Sequence, residues 1–497
     1  LTQNNKEFID MVLELQVEKI RYKNVERFLS SSHIELENIQ SYFPSLILDT
    51  PLKFSKWNTI HLNNRLIDVI SKNQNNYSGL VVSCKGGEAI HAPFHIKSTP
   101  IIEPRTFFRY KSSNSSHLVP GNYNRWKNTI DKVHSVSNTA YIDTLCSIYL
   151  SRLKEFGLTP HFGSIYGIYS GIIKDFEEDV SEEYSIINDE NWLISSIQKN
   201  KIRIKHIPTN QRKFEATNDL EVCDLDMYAV PAPNGITPST DEDDDAKHII
   251  IYPEVPVQIV FMEKFDITLD NLLKDSINRV RIPTRYSFIR YIRKIIVINK
   301  LKAWIFQITA GLHCANKYIQ FVHNDLHVQN VMGKKTNQKY IFYKQSDIIY
   351  KIPTYGYIMN IIDFGRSTFQ VHNKQYIGDV FDDDGDAGGQ YSLVDGVHPH
   401  PAFDLARLAC SFIEDLDESF WPTKDDLDKY DIGSLINSWT YDDNGQSLLD
   451  IEGFELYIHI AKYFRTKTPK LVLRHAMFHS YIVDSNIDIT DKFTIPL

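Results

Sequence analysis

Apolar positions change their spacing several times along the chain, and each change predicts an element. Over residues 1 to about 60, Phe8, Met11, Val12, Leu15 and Val17 fall near helical spacing. They predict a helical N-terminal extension over 1–65. From Leu80 to Lys97 the pattern shortens to β-rich pieces, Leu80-Val81-Val82-Ser83-Cys84 and Pro93-Phe94-His95-Ile96-Lys97, joined through Gly86-Gly87. That predicts a hairpin. Residues 138–156 return to a helical period, with Ile142, Leu145, Ile148, Tyr149, Leu150 and Leu153 on the apolar side. The stretch from about 174 to 250 is polar and acidic. It carries Glu177-Glu178-Asp179 and Asp241-Glu242-Asp243-Asp244-Asp245, with Pro231, Pro233 and Gly235 between, and reads as an insertion with mobile parts. Strand character resumes at Val257-Gln258-Ile259-Val260-Phe261, and helix dominates from Leu269 to about Ile319 with a break near Pro283.

Strands with one helix, followed mostly by helices, predict an α+β chain with a small β-rich N-lobe and a larger α-helical C-lobe. The expected units are the extension (1–65), the β-rich lobe with its acidic insertion (66–265) and the helical lobe (266–497). The length of 497 residues fits two or three folding units, and 42% apolar residues supply large cores. A formal charge of −9 sets nucleic acid aside as a partner. Five cysteines, Cys84, Cys146, Cys223, Cys314 and Cys410, lie far apart without metal spacing, which predicts buried thiols in a reducing, cytoplasmic setting. The first residues carry no basic-then-apolar signal pattern, and no apolar run suggests a membrane span.

The chemistry concentrates in two segments. His323-Asn324-Asp325-Leu326-His327-Val328-Gln329-Asn330 has the form H-x-D-L-x-x-x-N, and Asp363-Phe364-Gly365 follows after a β-rich stretch. Phosphoryl transfer needs a carboxylate near the attacking hydroxyl and oxygen ligands that hold Mg²⁺ against phosphates. Asp325 suits the first role; Asn330 and Asp363 suit the second. Either motif alone could be ordinary loop acids. Both in order, behind an apolar helix at 301–319, point to catalysis.

With these motifs the chain resembles the eukaryotic-type protein kinase superfamily over roughly residues 70 to 470. The resemblance implies a two-lobed protein-kinase-like fold with ATP and Mg²⁺ in the cleft. It makes Lys97 the lysine that pairs the α- and β-phosphates. The helical glutamate expected to pair with it has no clear counterpart; Asp143 is the best candidate by register, with a plain surface aspartate open as the alternative. Gly79 and Val81 then end the phosphate-covering loop. Met262 falls at the gatekeeper position, and backbone from Glu263 to Phe265 meets adenine. His323 braces the loop beside the catalytic Asp325, and Asp404, in Phe403-Asp404-Leu405, hydrogen-bonds that loop's backbone.

Several positions depart from the pattern. Gln74 and Asn76 stand where two glycines are expected, Asn324 replaces an arginine that receives activation-loop phosphate, and His327 replaces a lysine. The stretch between Asn330 and Asp363 is long, with Lys339-Tyr340-Ile341-Phe342-Tyr343 and Tyr355-Gly356-Tyr357-Ile358-Met359 predicting a hairpin. That hairpin and the lack of A-P-E resemble a haspin-like branch. Kinases of large cytoplasmic DNA viruses are similar around Phe321-Val322-His323, so host cytoplasm or virion is the expected location if the chain is viral.

Five aspartates between 379 and 386 favour a basic protein substrate, although a solvated acidic loop is the plainer account. A basic run from Arg279 to Lys302 reads as a solvated helix face. The expected activity is transfer of the ATP γ-phosphoryl group to Ser or Thr of a protein. A pseudokinase that binds nucleotide without turnover and a small-molecule phosphotransferase stay open as alternatives.

Overall fold

The computed structural model describes residues 3–31, 34–41, 55–73, 76–84, 86–105, 131–181, 183–207, 247–282, 286–345, 347–383, 385–392, 396–414, 428–483 and 493–494. The runs containing Gln74, Cys223, Pro231, Pro233, Gly235, Asp241–Asp245, Pro283 and Asp384 lie outside the described residues.

The N-terminal part holds α1 (Gln3–Leu13), β1 (Val17–Lys19), α2 (Lys23–Leu29), β2 (Leu36–Gln40) and β3 (Asn58–Ile60). It is therefore not wholly helical, which corrects the expectation for 1–65. Nor does it stand apart. β2 joins the edge of the main sheet, and Val25, Leu29 and Leu36 are buried in one cluster with the sheet residues Val81, Phe94 and Phe261. The helical spacing of Leu15 and Val17 misled because a three-residue strand is too short to display a period.

The main sheet is antiparallel throughout, in the order β2-β7-β9-β6-β5-β4, with β4 (Asn64–Asn73), β5 (Asn76–Ser83), β6 (Ile90–Pro100), β7 (Ile165–Asp179) and β9 (Lys247–Glu263). β5 and β6 form the expected hairpin. β7 and β9 pair from Ile165 opposite Met262 out to Asp179 opposite Ile249, and β8 (Arg203–Ile207) adds to the outer end of β9. The first part of the acidic insertion is thus ordered, since these strands extend beyond the sheet and a helix, Asn191–Gln198, follows β7. Ile250 and Tyr252 are fully buried there and supply the apolar contacts that hold the ribbon.

One long helix, α3 (Thr139–Glu155), covers the other face of the sheet. Asn138 caps it by accepting from the Ala140 N–H, and every residue from 140 to 153 is buried. Arg152 donates to the carbonyls of Val12 and Met11, so a guanidinium sits on the C-terminal end of α1, where carbonyl dipoles favour a cation.

The second lobe is built on α4 (Leu269–Arg281) and α5 (Ser287–Ile319), a helix of 33 residues, with α6 (Phe403–Glu414), α7 (Asp431–Ser438) and α8 (Glu455–Tyr463) packed behind. α5 is long and apolar enough to cross a membrane, contrary to expectation, but 72% of its apolar window lies inside the protein. Gly311 on α5 allows the His161 side chain to approach the helix; an added Cβ would stand 2.8 Å from His161 Cβ.

Among the described residues this lobe also carries three small sheets, one of them the pair Phe369–Val371 with Lys374–Tyr376. β10 (Ile267–Thr268), β11 (Val331–Lys335) and β14 (Tyr357–Ile361) make another. β12 (Tyr340–Gln345) pairs with β13 (Ile348–Pro353) as a hairpin. The second arm of the hairpin is thus 348–353, while the Tyr355–Met359 segment expected there mostly returns to β11. Together the elements form an α+β, two-lobed, protein-kinase-like fold. Of the four described cysteines, Cys146, Cys314 and Cys410 are buried free thiols and Cys84 is exposed, which corrects that expectation for Cys84.

Candidate active site

Strand alternation decides what β6 offers to the space between the lobes. Ala92 and Phe94 point into the outer cluster, so His95 and Lys97 point the other way, toward α3. Lys97 Nζ lies 2.5 Å from Asp143 Oδ2 and 2.9 Å from Asp363 Oδ1. Asp143 is buried on α3, and its other oxygen accepts the Phe364 N–H at 3.0 Å. A carboxylate one methylene shorter than glutamate therefore reaches both the lysine and the segment after Asp363. Burial presses the Lys97 ammonium down, but the two carboxylates outweigh it and hold its pKa above that of an ordinary lysine. The Lys97 charge in turn keeps the Asp363 carboxyl below the usual range, against its own desolvation.

Asp363 and Asn324 both adopt the left-handed backbone, φ 66° in each case, a region that Asp and Asn enter more readily than other side-chain-bearing residues. Phe364 turns inward, its ring 5.8–6.2 Å from those of His323, Phe321 and Phe162. The two motifs are tied by a hydrogen bond from Ile362 N to Asn330 O.

Asp404, at the start of α6, is 1% exposed and accepts the His323 N–H at 3.0 Å and the Asn324 N–H at 2.9 Å. Among the described residues no ammonium or guanidinium bonds it, and desolvation pushes its pKa up to about 6 in spite of those donors. The His323 ring accepts from Asp325 N on Nδ1 and so donates from Nε2 to Ile362 O at 2.8 Å. With both nitrogens engaged, the His323 ring links the Asp325 backbone to the strand end before Asp363. Asn324, buried, donates to Arg366 O and Thr368 Oγ1 and accepts from Tyr391. The place of the expected arginine is thus a neutral, bonded core position. Burial chiefly lowers the His327 pKa, against the pull of the Asp325 carboxylate.

Tyr457 on α8 was missed in the sequence. Its hydroxyl donates to Asp325 Oδ1 at 2.6 Å and accepts from Arg407 Nε at 2.9 Å, and the Arg366 and Arg407 guanidiniums lie 5.5 and 5.3 Å from its ring centre. Asp325 is 132 positions away in the chain, so no local pattern could pair them.

The remaining candidates divide. Met262 lies opposite His95 in the β6–β9 register, on the Lys97 side. Glu263 has its side chain committed: its carboxylate bonds Lys154, Lys334 and the Ser164 N–H. Burial pushes its pKa up, but the two ammonium groups bring it below the usual value. Phe265 is buried against Gly163. Gly79 and Val81, in contrast, pair opposite Ala92 and Ile90 and face the outer cluster, away from Lys97. Ser78 and Leu80 take the Lys97 face instead. Gly79 is needed because any side chain there would collide with the Asp68 carbonyl and Leu66.

Asn330 donates its amide N–H to Asp325 O at 3.0 Å, which leaves its Oδ1 as the acceptor end, and Asp363 is half-exposed. Two hard oxygen donors of this kind fit Mg²⁺, which takes few protein ligands and completes its shell with water and phosphate. Among the described residues no group of three or more His, Cys, Asp or Glu could hold a metal without such help.

No protein-family model matches the chain. A 77-residue stretch is 39% identical to serine/threonine-protein kinase haspin of Mus musculus, covering 16% of this chain and 10% of that one. The Bos taurus haspin is 38% identical over 78 residues, again 16% and 10%. Uncharacterized protein 098R of Invertebrate iridescent virus 6 is 39% identical over 75 residues, 14% and 12%. The matches thus span about a tenth of the length of these curated relatives. Among solved structures, ROP2 from Toxoplasma gondii, described as a virulence factor with a protein-kinase fold and no enzymatic activity, gives a TM-score of 0.27 at 10% identity over 96% of this chain and 93% of that one. The ROP18 kinase domain in complex with AMP-PNP and sucrose gives 0.27 at 11% over 94% and 95%. Overlays this loose carry no argument. The sequence similarity makes this chain kinase-like over the matched stretch.

Proposed function

We propose that the chain is a protein kinase that transfers the γ-phosphoryl group of ATP to Ser or Thr hydroxyls of a protein. The observation that carries the reading is Lys97, held by Asp143 of α3 and Asp363 of the second lobe at 2.5 and 2.9 Å. A structural lysine needs one partner; a lysine between two carboxylates on different lobes is poised to exchange one of them for phosphate oxygens.

In this reading Asn330 and Asp363 hold Mg²⁺, and Lys97 steadies the α- and β-phosphates. When bound, Mg-ATP supplies the transferable group and the cation charge that offsets its oxygens. Asp325 orients the acceptor hydroxyl and takes its proton. Asp404 and His323 keep the loop beneath Asp325 in place, so that little rearrangement is needed as charge develops. Asp382, Asp383 and Asp386 are exposed near Asp379 and favour a basic acceptor peptide. Asp379 itself is committed to Thr139 at the start of α3, through Thr139 N at 3.0 Å and Oγ1 at 2.7 Å. A cytoplasmic setting belongs to the same proposal.

One observation favours a non-transferring alternative: the Tyr457 hydroxyl already occupies Asp325 Oδ1. Radiolabelled Mg-ATP, offered with a mixed set of basic and acidic proteins, separates the readings. Label on protein with the wild type, absent with Asp363→Ala, is the expected result, with basic proteins labelled first. No label despite Mg-ATP binding would leave a nucleotide-binding scaffold.

A further inference from the structure

We propose that the first three turns of α5 dock the protein onto an anionic membrane surface, lying in the interface rather than crossing it. The segment is built unlike the rest of the helix. From Val297 and Ile298 onward α5 enters the core, with those residues 7% and 8% exposed. Before that point Tyr286 and Phe288 are each 68% exposed, Tyr291 58%, and Ile289, Ile292 and Ile296 are exposed as well. So many large apolar side chains in water on one short stretch mark an unfilled contact.

Helical geometry sorts them. At 3.6 residues per turn, Tyr291, Phe288, Ile292, Ile296 and Ile289 fall on one arc of roughly 160°. Arg290, Arg293 and Lys294 fall on the opposite arc. From Ser276 to Lys302 the chain has eight arginines and lysines and no Asp or Glu, within a protein of net charge −9. An aromatic and aliphatic face backed by a purely cationic one is the design of a helix that lies at the headgroup boundary, with the apolar arc among acyl chains and the cations near lipid phosphates.

Other occupants fit less well. A second copy would bury the apolar arc but leave the cations of both copies without an anion. Nucleic acid would leave the isoleucines without a dry contact. A groove on an acidic protein would bury the apolar arc but turn the cations on the opposite side away from the acid. An anionic bilayer satisfies both arcs. This docking stands independently of phosphoryl transfer.

The test is flotation of the full chain with vesicles of phosphatidylcholine alone or of phosphatidylcholine mixed with phosphatidylserine. Binding is expected only to the mixed vesicles, and is expected to weaken with salt. Each cation near an anionic surface contributes about fivefold, so Arg290→Ser/Arg293→Ser/Lys294→Ser should bind on the order of 100-fold less. Phe288→Ser/Ile292→Ser should also lose binding with all cations retained. Arg290, Phe288 and Ile292 are exposed, while Arg293 and Lys294 are half-buried and Arg293 donates to Ile282 O, so an unchanged urea midpoint is required of each variant. The proposal fails if the mixed vesicles are not bound, if neutral vesicles bind equally, or if either variant binds as the wild type does. It fails also if polyglutamate or duplex DNA is captured through these cations while vesicles are ignored. Self-association of the wild type that Phe288→Ser/Ile292→Ser abolishes, without vesicle binding, would assign the face to a second copy instead.

Discussion

Asp143 and Asp404 are both buried, 2% and 1% exposed, yet the two sides of the cleft stabilise them by different means. Asp143 has a full countercharge in Lys97 and one backbone N–H, from Phe364. Asp404 has two backbone N–H groups and, among the described residues, no bonded cation. Dipoles from two amides offset desolvation only in part, and the Asp404 carboxyl is accordingly pushed up to about 6. The difference separates what can move from what is fixed. Charges can change partners, and Lys97 and Asp363 are both partly open to solvent for that. Two N–H groups within a tight turn have no other acceptor to turn to, so Asp404 belongs to the scaffold under Asp325.

The largest expected effect follows from removing that scaffold. Asp404→Ala leaves the His323 and Asn324 N–H groups buried without an acceptor, at about 1–3 kcal/mol each, or about 2–6 kcal/mol in all. Urea unfolding should show the loss, and any phosphoryl transfer should vanish with it. A loss no larger than that of an equivalent change at Asp143 would break the comparison.

The pH dependence comes next. With a folded pKa near 6 against an ordinary value of 3.8, the folded state binds more protons than the unfolded chain between those limits. Stability from Asp404 is therefore present below pH 4 and lost as pH rises through 6, by at most about 3 kcal/mol. His161 works in the opposite sense. Burial pushes it down to about 4, so its contribution is present above pH 6.5 and lost as pH falls through 4. Measuring wild type against Asp404→Asn cancels the His161 effect. The difference in unfolding free energy should move in favour of the wild type on acidification from pH 6 to pH 4, and a flat difference would contradict the assignment.

A smaller change in stability should accompany Asp143→Asn. The amide oxygen can still accept the Phe364 N–H and Lys97 keeps Asp363, so the expected cost is that of one buried charged hydrogen bond, about 1.5–3 kcal/mol. The accompanying loss of phosphoryl transfer should be at least about tenfold, since one turn of α3 no longer fixes the lysine. A large stability loss with little effect on transfer would reverse the roles of the two carboxylates.

How much of this could be read from the sequence depends on chain distance. His323 to Asn330 and Asp363 to Gly365 are contiguous motifs whose roles need no tertiary knowledge, and Asp404 follows from its place in Phe403-Asp404-Leu405. Asp143 was reachable through helical spacing from the apolar stripe of α3. The faces of β5 were not. Chain distance from Lys97 alone places Gly79 and Val81, and the regular pairing of β5 with β6 turns Ser78 and Leu80 to that side instead. Counting back two from Lys97 does find His95, because β6 is regular there. The strands within 1–65 escaped notice for a different reason: their burial comes from the sheet they cover, not from their own pattern.

Tyr457 gives the smallest effect on stability and the sharpest test of the cleft. Its hydroxyl donates to Asp325 Oδ1, the group proposed to meet the acceptor hydroxyl, and Arg407 steadies it from behind. Removing one partly exposed hydroxyl should cost about 1 kcal/mol or less of folding stability. If it serves only to orient Asp325, Tyr457→Phe should lower kcat and leave the KM for the acceptor protein unchanged. If it occupies the acceptor's place, the same change should lower that KM, because an incoming Ser or Thr no longer has to displace a 2.6 Å hydrogen bond. The geometry favours the second outcome. Asp325 is already held by the loop that Asp404 anchors, so it gains little from a further positioning contact, while a hydroxyl on the base is what a bound acceptor would present.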